Sequence, residues 1–324
     1  MHASLAIGVD VGGTKISAGL VERDGRVLSE TTVPTPDSGP FGIIDAVIDV
    51  TQEVSAKAQP GEIAGIGLGL PAQVDYLKQS IEFCTNLPLT GVDVRSLVMS
   101  RLKHPVTIDN DGNTAALGEF RFGAAKDVRD FLMVTIGTGV GGGLLVRGQP
   151  YRGHRGLSGE LGHVVVDLEG PKCPCGGRGH LEAYVAGPAI AAKGREAAAT
   201  FKGAAILEAA GGDIDAVTAE SVKKAARAGD EVAIRILSQA GHILGRALVG
   251  FVNLLNPRLI VIGGGVGGDC TFMRERAAEA IEEEAMAGRR DVHLVLSELG
   301  SDGGVLGAAV LAFDDYDSRQ GLNR

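Results

Sequence analysis

The chain has 324 residues, more than one hydrophobic core usually fills, so two domains are expected. Hydrophobic residues make up 44% and charged residues 22%, with no long polar or repetitive tract, which excludes an extended disordered protein. A net charge of -9 excludes a broad basic footprint for nucleic acid, and neither a leader pattern nor an apolar run near the ~20 residues of a membrane span is visible. A cytoplasmic protein without nucleic-acid or membrane partners is expected.

In chain order, the apolar run Leu5 to Val9 reaches Asp10, passes Gly12-Gly13 and resumes at Ile16 to Val21. That is a strand, a glycine turn and a second strand. A third strand, Val27 to Val33, follows the Asp24-Gly25 turn, and Ile43 to Ala58 has the spacing of an amphipathic helix. Ile63 to Leu70 reads as a buried strand, 94 to 102 as a helix and 105 to 109 as a strand.

The opening recurs about 127 residues on: Met133 to Ile136 enters a glycine-rich turn, Gly137 to Gly143, and Leu144 to Val146 leaves it. Two copies of one domain plan are expected. The later chain is largely helical, with Asp230 to Asn253 as one long candidate. The strand Arg258 to Ile262 then runs into Gly263-Gly264-Gly265. A helix from about Thr271 to Met286, a strand from Val292 to Leu296 and a helix after Gly303-Gly304 complete the pattern, and the charged tail Asp314 to Arg324 is expected to fray.

Glycine makes up 49 positions, about twice its usual share, clustered in short runs. Three such runs stand at strand ends, where backbone without Cβ approaches phosphate oxygens closely. Each alone fits an ordinary hairpin turn equally well, and neither GxxxxGK[ST] nor a GxGxxG leading into a helix is present. With Asp10, Thr14, Lys15 and Thr138 beside them to serve Mg²⁺ or phosphate, the three together point to a nucleotide.

Asp109-Asn110-Asp111-Gly112-Asn113 lies between a strand and a helix-like segment. Two readings stay open for it: Asp and Asn cap free helical amides, and a carboxylate at such a junction can take the proton of a bound hydroxyl. The densest passage is residues 159 to 182. There Cys173 and Cys175 flank one residue, with His163 ten before and His180 five after, four N/S donors for a closed structural zinc site. Glu160 and Glu182 are interleaved with them, which places a ligand pocket beside the metal. Two buried thiols and two ordinary imidazoles are the plainer alternative. Cys84 and Cys270 stand alone and read as small buried hydrophobes, and no disulfide framework is expected.

Asp10-Val-Gly-Gly-Thr-Lys15, Asn110-Asp111, Glu160-Leu-Gly-His163 and Cys173-x-Cys175-Gly-x-x-Gly-His180-x-Glu182 together resemble the ROK family of sugar kinases and related repressors, over nearly the whole chain. The resemblance implies the actin-like, hexokinase-type fold, a pair of ribonuclease H-like domains flanking a cleft. Residues 1–117 would form the first domain, with 303–324 returning to it; 118–302 would form the second, carrying the zinc loop and a homodimer or homotetramer interface. By the same resemblance Asp10, Gly12, Gly13, Thr14 and Lys15, with Thr138 and Gly139, would hold ATP phosphates and Mg²⁺. Gly264 and Gly265 would lie near the adenosine. Asp111 would be the general base for a hexose hydroxyl, and Asn86, Asn110, Glu160, His163 and Glu182 would bind the sugar.

Among such kinases the chain looks most like bacterial glucokinases, with N-acetylmannosamine, fructose and allose as other acceptors. A non-catalytic sugar-binding regulator is the remote alternative. The family's repressors carry a winged helix-turn-helix ahead of the kinase-like body, whereas here the first strand is expected within a few residues of Met1. Two departures from the pattern stand out: His180 replaces a third cysteine, giving a Cys₂His₂ set, and Gly112 replaces the usual Ala after the base.

Overall fold

The computed structural model describes residues 3–59, 61–286 and 291–322. In chain order the first stretch runs β1 (Leu5–Val11), β2 (Lys15–Glu22), β3 (Val27–Pro34), α1 (Gly39–Ser55), β4 (Ile63–Leu70), β5 (Gln73–Asp75), β6 (Ser80–Phe83), α2 (Val94–Leu102), β7 (Val106–Asn110) and α3 (Asp111–Phe122). The second runs β8 (Phe131–Ile136), β9 (Val140–Val146), β10 (Gln149–Pro150), α4 (Glu182–Val185), α5 (Gly187–Ala198), α6 (Ala204–Ala209), α7 (Ala219–Arg227), α8 (Glu231–Leu255), β11 (Leu259–Gly263), α9 (Gly264–Gly267), α10 (Thr271–Glu284), β12 (His293–Leu296) and α11 (Gly303–Arg319).

Two five-stranded sheets result, ordered β3-β2-β1-β4-β7 and β10-β9-β8-β11-β12. Counted within each sheet both read 3-2-1-4-5, so the duplication expected from the repeated hairpin extends to strand order. In the first, β1 pairs antiparallel with β2 and parallel with β4, which pairs parallel with β7. Parallel neighbours need crossover helices. α1 and α2 supply them.

Strand alternation sets the layers of the first sheet. In β1, Leu5, Ile7, Val9 and Val11 join a core with Ile43, Val47, Ile48 and Val54 of α1 and Val94 and Val98 of α2. β4 reads IAGIGLGL: Ile66, Leu68 and Leu70 face that same core, while on its other face Gly65 and Gly67 lie toward α11 and Gly69 toward Thr114 of α3. A Cβ on Gly67 would lie 1.8 Å from the Ala308 carbonyl oxygen, so α11 rests directly on strand backbone.

The chain divides into two compact units. The first comprises Met1–Met133, Gly143–Gly159 and Ser301–Arg324, and the second Val134–Gly142 and Glu160–Gly300. The first division therefore falls after Met133, later than residue 117, and α11 packs on β1, β4 and α3 within the first unit.

Three local expectations need correction. The glycine turn after β8 is only Gly137 to Gly139, because β9 already begins at Val140. The later glycines serve packing: a Cβ on Gly143 would come 2.5 Å from the Gly112 carbonyl oxygen at the start of α3. Gly263 to Gly265 is not a free turn at the strand end: Gly263 closes β11, and Gly264 and Gly265 already lie in the short helix α9. The tail does not fray at Asp314, since α11 continues to Arg319. Arg23 grips Asp317 with both Nη atoms at 2.9 and 2.8 Å, and the Tyr316 hydroxyl accepts from the Ala3 amide at 3.3 Å. Residues 323 and 324 lie outside the described residues. The β5/β6 hairpin was not expected; its strands are too short for periodicity to register.

Candidate active site and metal centre

The first glycine turn closes β1 onto β2: the Gly12 amide donates to the Lys15 carbonyl at 2.8 Å. Thr35 ties it to the end of β3, its amide donating to the Thr14 carbonyl at 3.0 Å and its hydroxyl to the Gly12 carbonyl at 2.7 Å. Gly13, Thr14 and Lys15 are exposed, with Asp10 just behind them on β1. Burial pushes the Asp10 carboxyl above its ordinary value and the Lys15 charge partly offsets this. A side chain at position 304 would collide with that carboxylate, 2.6 Å from a Cβ there, so Asp10 sits against the first turn of α11.

In the second unit the other glycine turns gather. The Gly187 amide donates to the Gly137 carbonyl at 2.8 Å, and Gly264 packs against Ile136. Lys223 of α7 donates to the Gly265 carbonyl at 2.9 Å while pairing with Asp269 at 2.6 Å and Glu220 at 2.9 Å. Burial works against the Lys223 charge, but the two carboxylates outweigh it and hold its pKa above the ordinary value. No local sequence signal marks Lys223, which lies 42 residues from the turn it braces.

At the end of β7, Asn110 takes the N-cap of α3, its Oδ1 accepting from the Gly112 and Asn113 amides at 2.9 and 3.4 Å, and its Nδ2 donating to the Ala72 carbonyl at 3.2 Å. The capping reading of this passage is therefore realised. Asp111 is the first residue of α3, where a carboxylate is favoured by the helix dipole, and its Oδ1 accepts from the Gly112 amide at 2.9 Å. Asp109 is wholly buried. Asn86 lies exposed in the turn after β6.

The passage 160–182 holds little regular structure: one 3₁₀ turn, Leu161–His163, and two isolated bridges, Val165 with His180 and Lys172 with Arg178. Within it the donor atoms of His163, Cys173, Cys175 and His180 all lie within 4.8 Å of one another. Cys173 Sγ is 3.8 Å from His163 Nδ1, and Cys175 Sγ is 3.2 Å from His180 Nδ1. Donors around one tetrahedral zinc stand about 3.3–3.8 Å apart, so the set fits such an ion with small adjustments. The His180 ring folds back over Gly177, where a Cβ would come 2.2 Å from it. Burial pushes the Cys173 thiol up to about 12; the Cys175 backbone amide pulls the other way, and the Cys175 thiol and Glu182 carboxylate add to the rise. A dication is what would let these thiols ionise at neutral pH.

The two glutamates differ in their ties. His163 Nε2 stands 3.8 Å from Glu160 Oε2, so one ring turns Nδ1 to the donor cluster and Nε2 to a carboxylate. Glu182 Oε1 accepts from Cys173 Sγ at 3.5 Å, and its Oε2 accepts from the Val140 amide at 2.9 Å. Glu182 thus joins the cysteine pair to the end of the Gly137–Gly139 turn, a contact that its distance in sequence conceals.

A nucleotide-binding type of fold, duplicated and fitted with glycine turns and a Cys/His cluster, is the setting in which likeness to known proteins can be judged. Residues 6–315 match the ROK family, and the chain belongs to it. Its sequence is 36% identical over 310 residues to a glucokinase of Thermotoga maritima, covering 94% of this chain and 95% of that one. It is 33% identical over 313 residues to a glucokinase of Streptomyces coelicolor, covering 95% and 97%. Among solved structures, a ROK family glucokinase from Streptomyces griseus in complex with glucose and AMPPNP superposes with a TM-score of 0.88 at 32% identity, covering 96% of this chain and 99% of that one. The fold is the actin-like ATPase fold of the family's sugar kinases.

Proposed function

We propose that this sugar kinase transfers the γ-phosphoryl group of ATP to the 6-hydroxyl of glucose, with Asp111 as general base. The observation that carries the reading is end-to-end likeness to glucokinases in a chain that keeps a carboxylate at the β7–α3 junction. A sugar hydroxyl is a poor nucleophile at neutral pH, so its proton must leave as the bond to phosphorus forms. The O6–Pγ bond forms, the bond from Pγ to the bridging oxygen breaks, ADP departs, and the proton passes to Asp111.

Positioning and charge do the remainder. Lys15 and the amides around Gly12, Gly13 and Thr14, with Thr138 and Gly139, offset charge on the phosphate oxygens, and Gly264 and Gly265 approach the adenosine. Asp10, just behind the first glycine turn, would meet the Mg²⁺ of the nucleotide, and Mg²⁺ would supply charge neutralisation on the phosphates. Glu160, His163 and Glu182 accept from or donate to the sugar's other hydroxyls. Asn110 spends its Oδ1 and one N–H on the fold, which leaves its other N–H for the sugar. Asn86 is a further sugar contact. A structural Zn²⁺ held by His163, Cys173, Cys175 and His180 would hold the acidic loop still. A homodimer or homotetramer in the cytoplasm completes the reading.

Sugar-phosphate formation by the purified protein over a panel of hexoses and N-acetylhexosamines, with ATP, ADP and polyphosphate as donors, tests the assignment. Glucose with ATP is expected to give the highest kcat/KM. N-acetylmannosamine or fructose leading the panel would overturn glucose, and no turnover with any sugar would overturn the kinase.

A further inference from the structure

We infer that Arg152 is a positioning residue for the reaction: by neutralising Asp109 it holds the β7–α3 junction so that the Asp111 carboxylate is presented in one orientation. This rests on the reading of Asp111 as base and adds a residue to it. Asp109 is 0% exposed, and its Oδ1 accepts from the Asn110 amide at 2.8 Å and from Asn113 Nδ2 at 2.9 Å. Those two residues flank Asp111 on either side. Its Oδ2 accepts from Arg152 Nε at 2.8 Å and Nη2 at 2.7 Å, a two-pronged pair.

Arg152 is itself fixed, its guanidinium lying 3.7 Å from the centre of the Tyr76 ring and its side chain 17% exposed. Asn113 Oδ1 is buried without a hydrogen-bond partner among the described residues, so the bond from Nδ2 to Asp109 alone orients that amide. A buried carboxylate stripped of its cation is among the least tolerable groups in a protein interior. Losing Arg152 would therefore drive Asp109 out of its site, and both of its grips beside Asp111 would go with it. Arg152 and Asp109 are 43 residues apart, on segments that only folding brings together.

The test is steady-state kinetics on the full chain, normalised to folded protein by melting curves. Arg152→Met is expected to lower kcat at least about tenfold while KM for ATP and for sugar stays within about twofold, since small misplacement of a reacting group is costly. Arg152→Lys keeps the charge without the fork and should recover part of the loss. The double variant Asp109→Asn/Arg152→Met removes the stranded charge and should turn over faster than Arg152→Met alone. Full kcat in folded Arg152→Met, or a double variant no better than the single, would overturn the inference. If Arg152→Met does not fold, Arg152→Lys against wild type carries the same kcat-to-KM comparison. Persistence of turnover in Asp111→Asn would instead overturn the base itself.

Discussion

The β7–α3 junction and the 160–182 segment carry different parts of the proposed chemistry and are held in different ways. Residues 109–113 sit on a strand end and a helix start, held by an N-cap, side-chain hydrogen bonds and a buried ion pair. Residues 160–182 have almost no ladder or helix, and their convergence point is four N and S atoms within 4.8 Å. The first region is expected to keep its shape in metal-free buffer. The second is tied by backbone bonds such as Leu181 amide to Val164 carbonyl at 2.9 Å, but its four donor atoms are expected to depend on an ion to hold them together.

The comparison breaks most sharply at Asp111. Asp111→Asn is expected to lower kcat by about a thousandfold, the usual worth of a general base, with sugar affinity by calorimetry nearly unchanged. Cys173→Ser attacks the other region: zinc content by atomic absorption should fall, sugar binding should be lost, and Tm should drop by about 5 °C or more. Circular dichroism should meanwhile retain most of its helical signal. If Cys173→Ser binds sugar as wild type does, the metal-dependent half of the contrast is wrong.

Two smaller effects sharpen it. Gly67→Ala places a methyl against the Ala308 carbonyl and should cost about 1–3 kcal/mol by denaturant melting, because backbone cannot step aside as a side chain can. Asp10→Asn should slightly raise Tm at neutral pH. The folded Asp10 titrates above 3.8, the value expected when unfolded, so between those points the unfolded chain has lost a proton that the folded chain keeps. Stability therefore falls as pH rises through that window and stays lower above it. The gain from Asn should be absent near pH 3 and complete at pH 7, and a gain equal at both would refute the burial argument.

The sequence by itself determined the elements whose causes are local. The apolar run Ile63 to Leu70 marked a buried strand, the repeated strand–glycine–strand unit marked the duplication, and Cys173-x-Cys175 with its flanking imidazoles marked the donor cluster. Period and spacing are written along the chain, so they can be read there. Tertiary structure alone decided that Gly141 to Gly143 belong to a strand, that α11 lies on the glycine face of β4, that Glu182 bonds the Val140 amide, and that Lys223 and Arg152 brace a turn and an aspartate some forty residues away. Those choices follow from close packing and from the need to pair buried charge, and both compare atoms whose nearness no local pattern encodes.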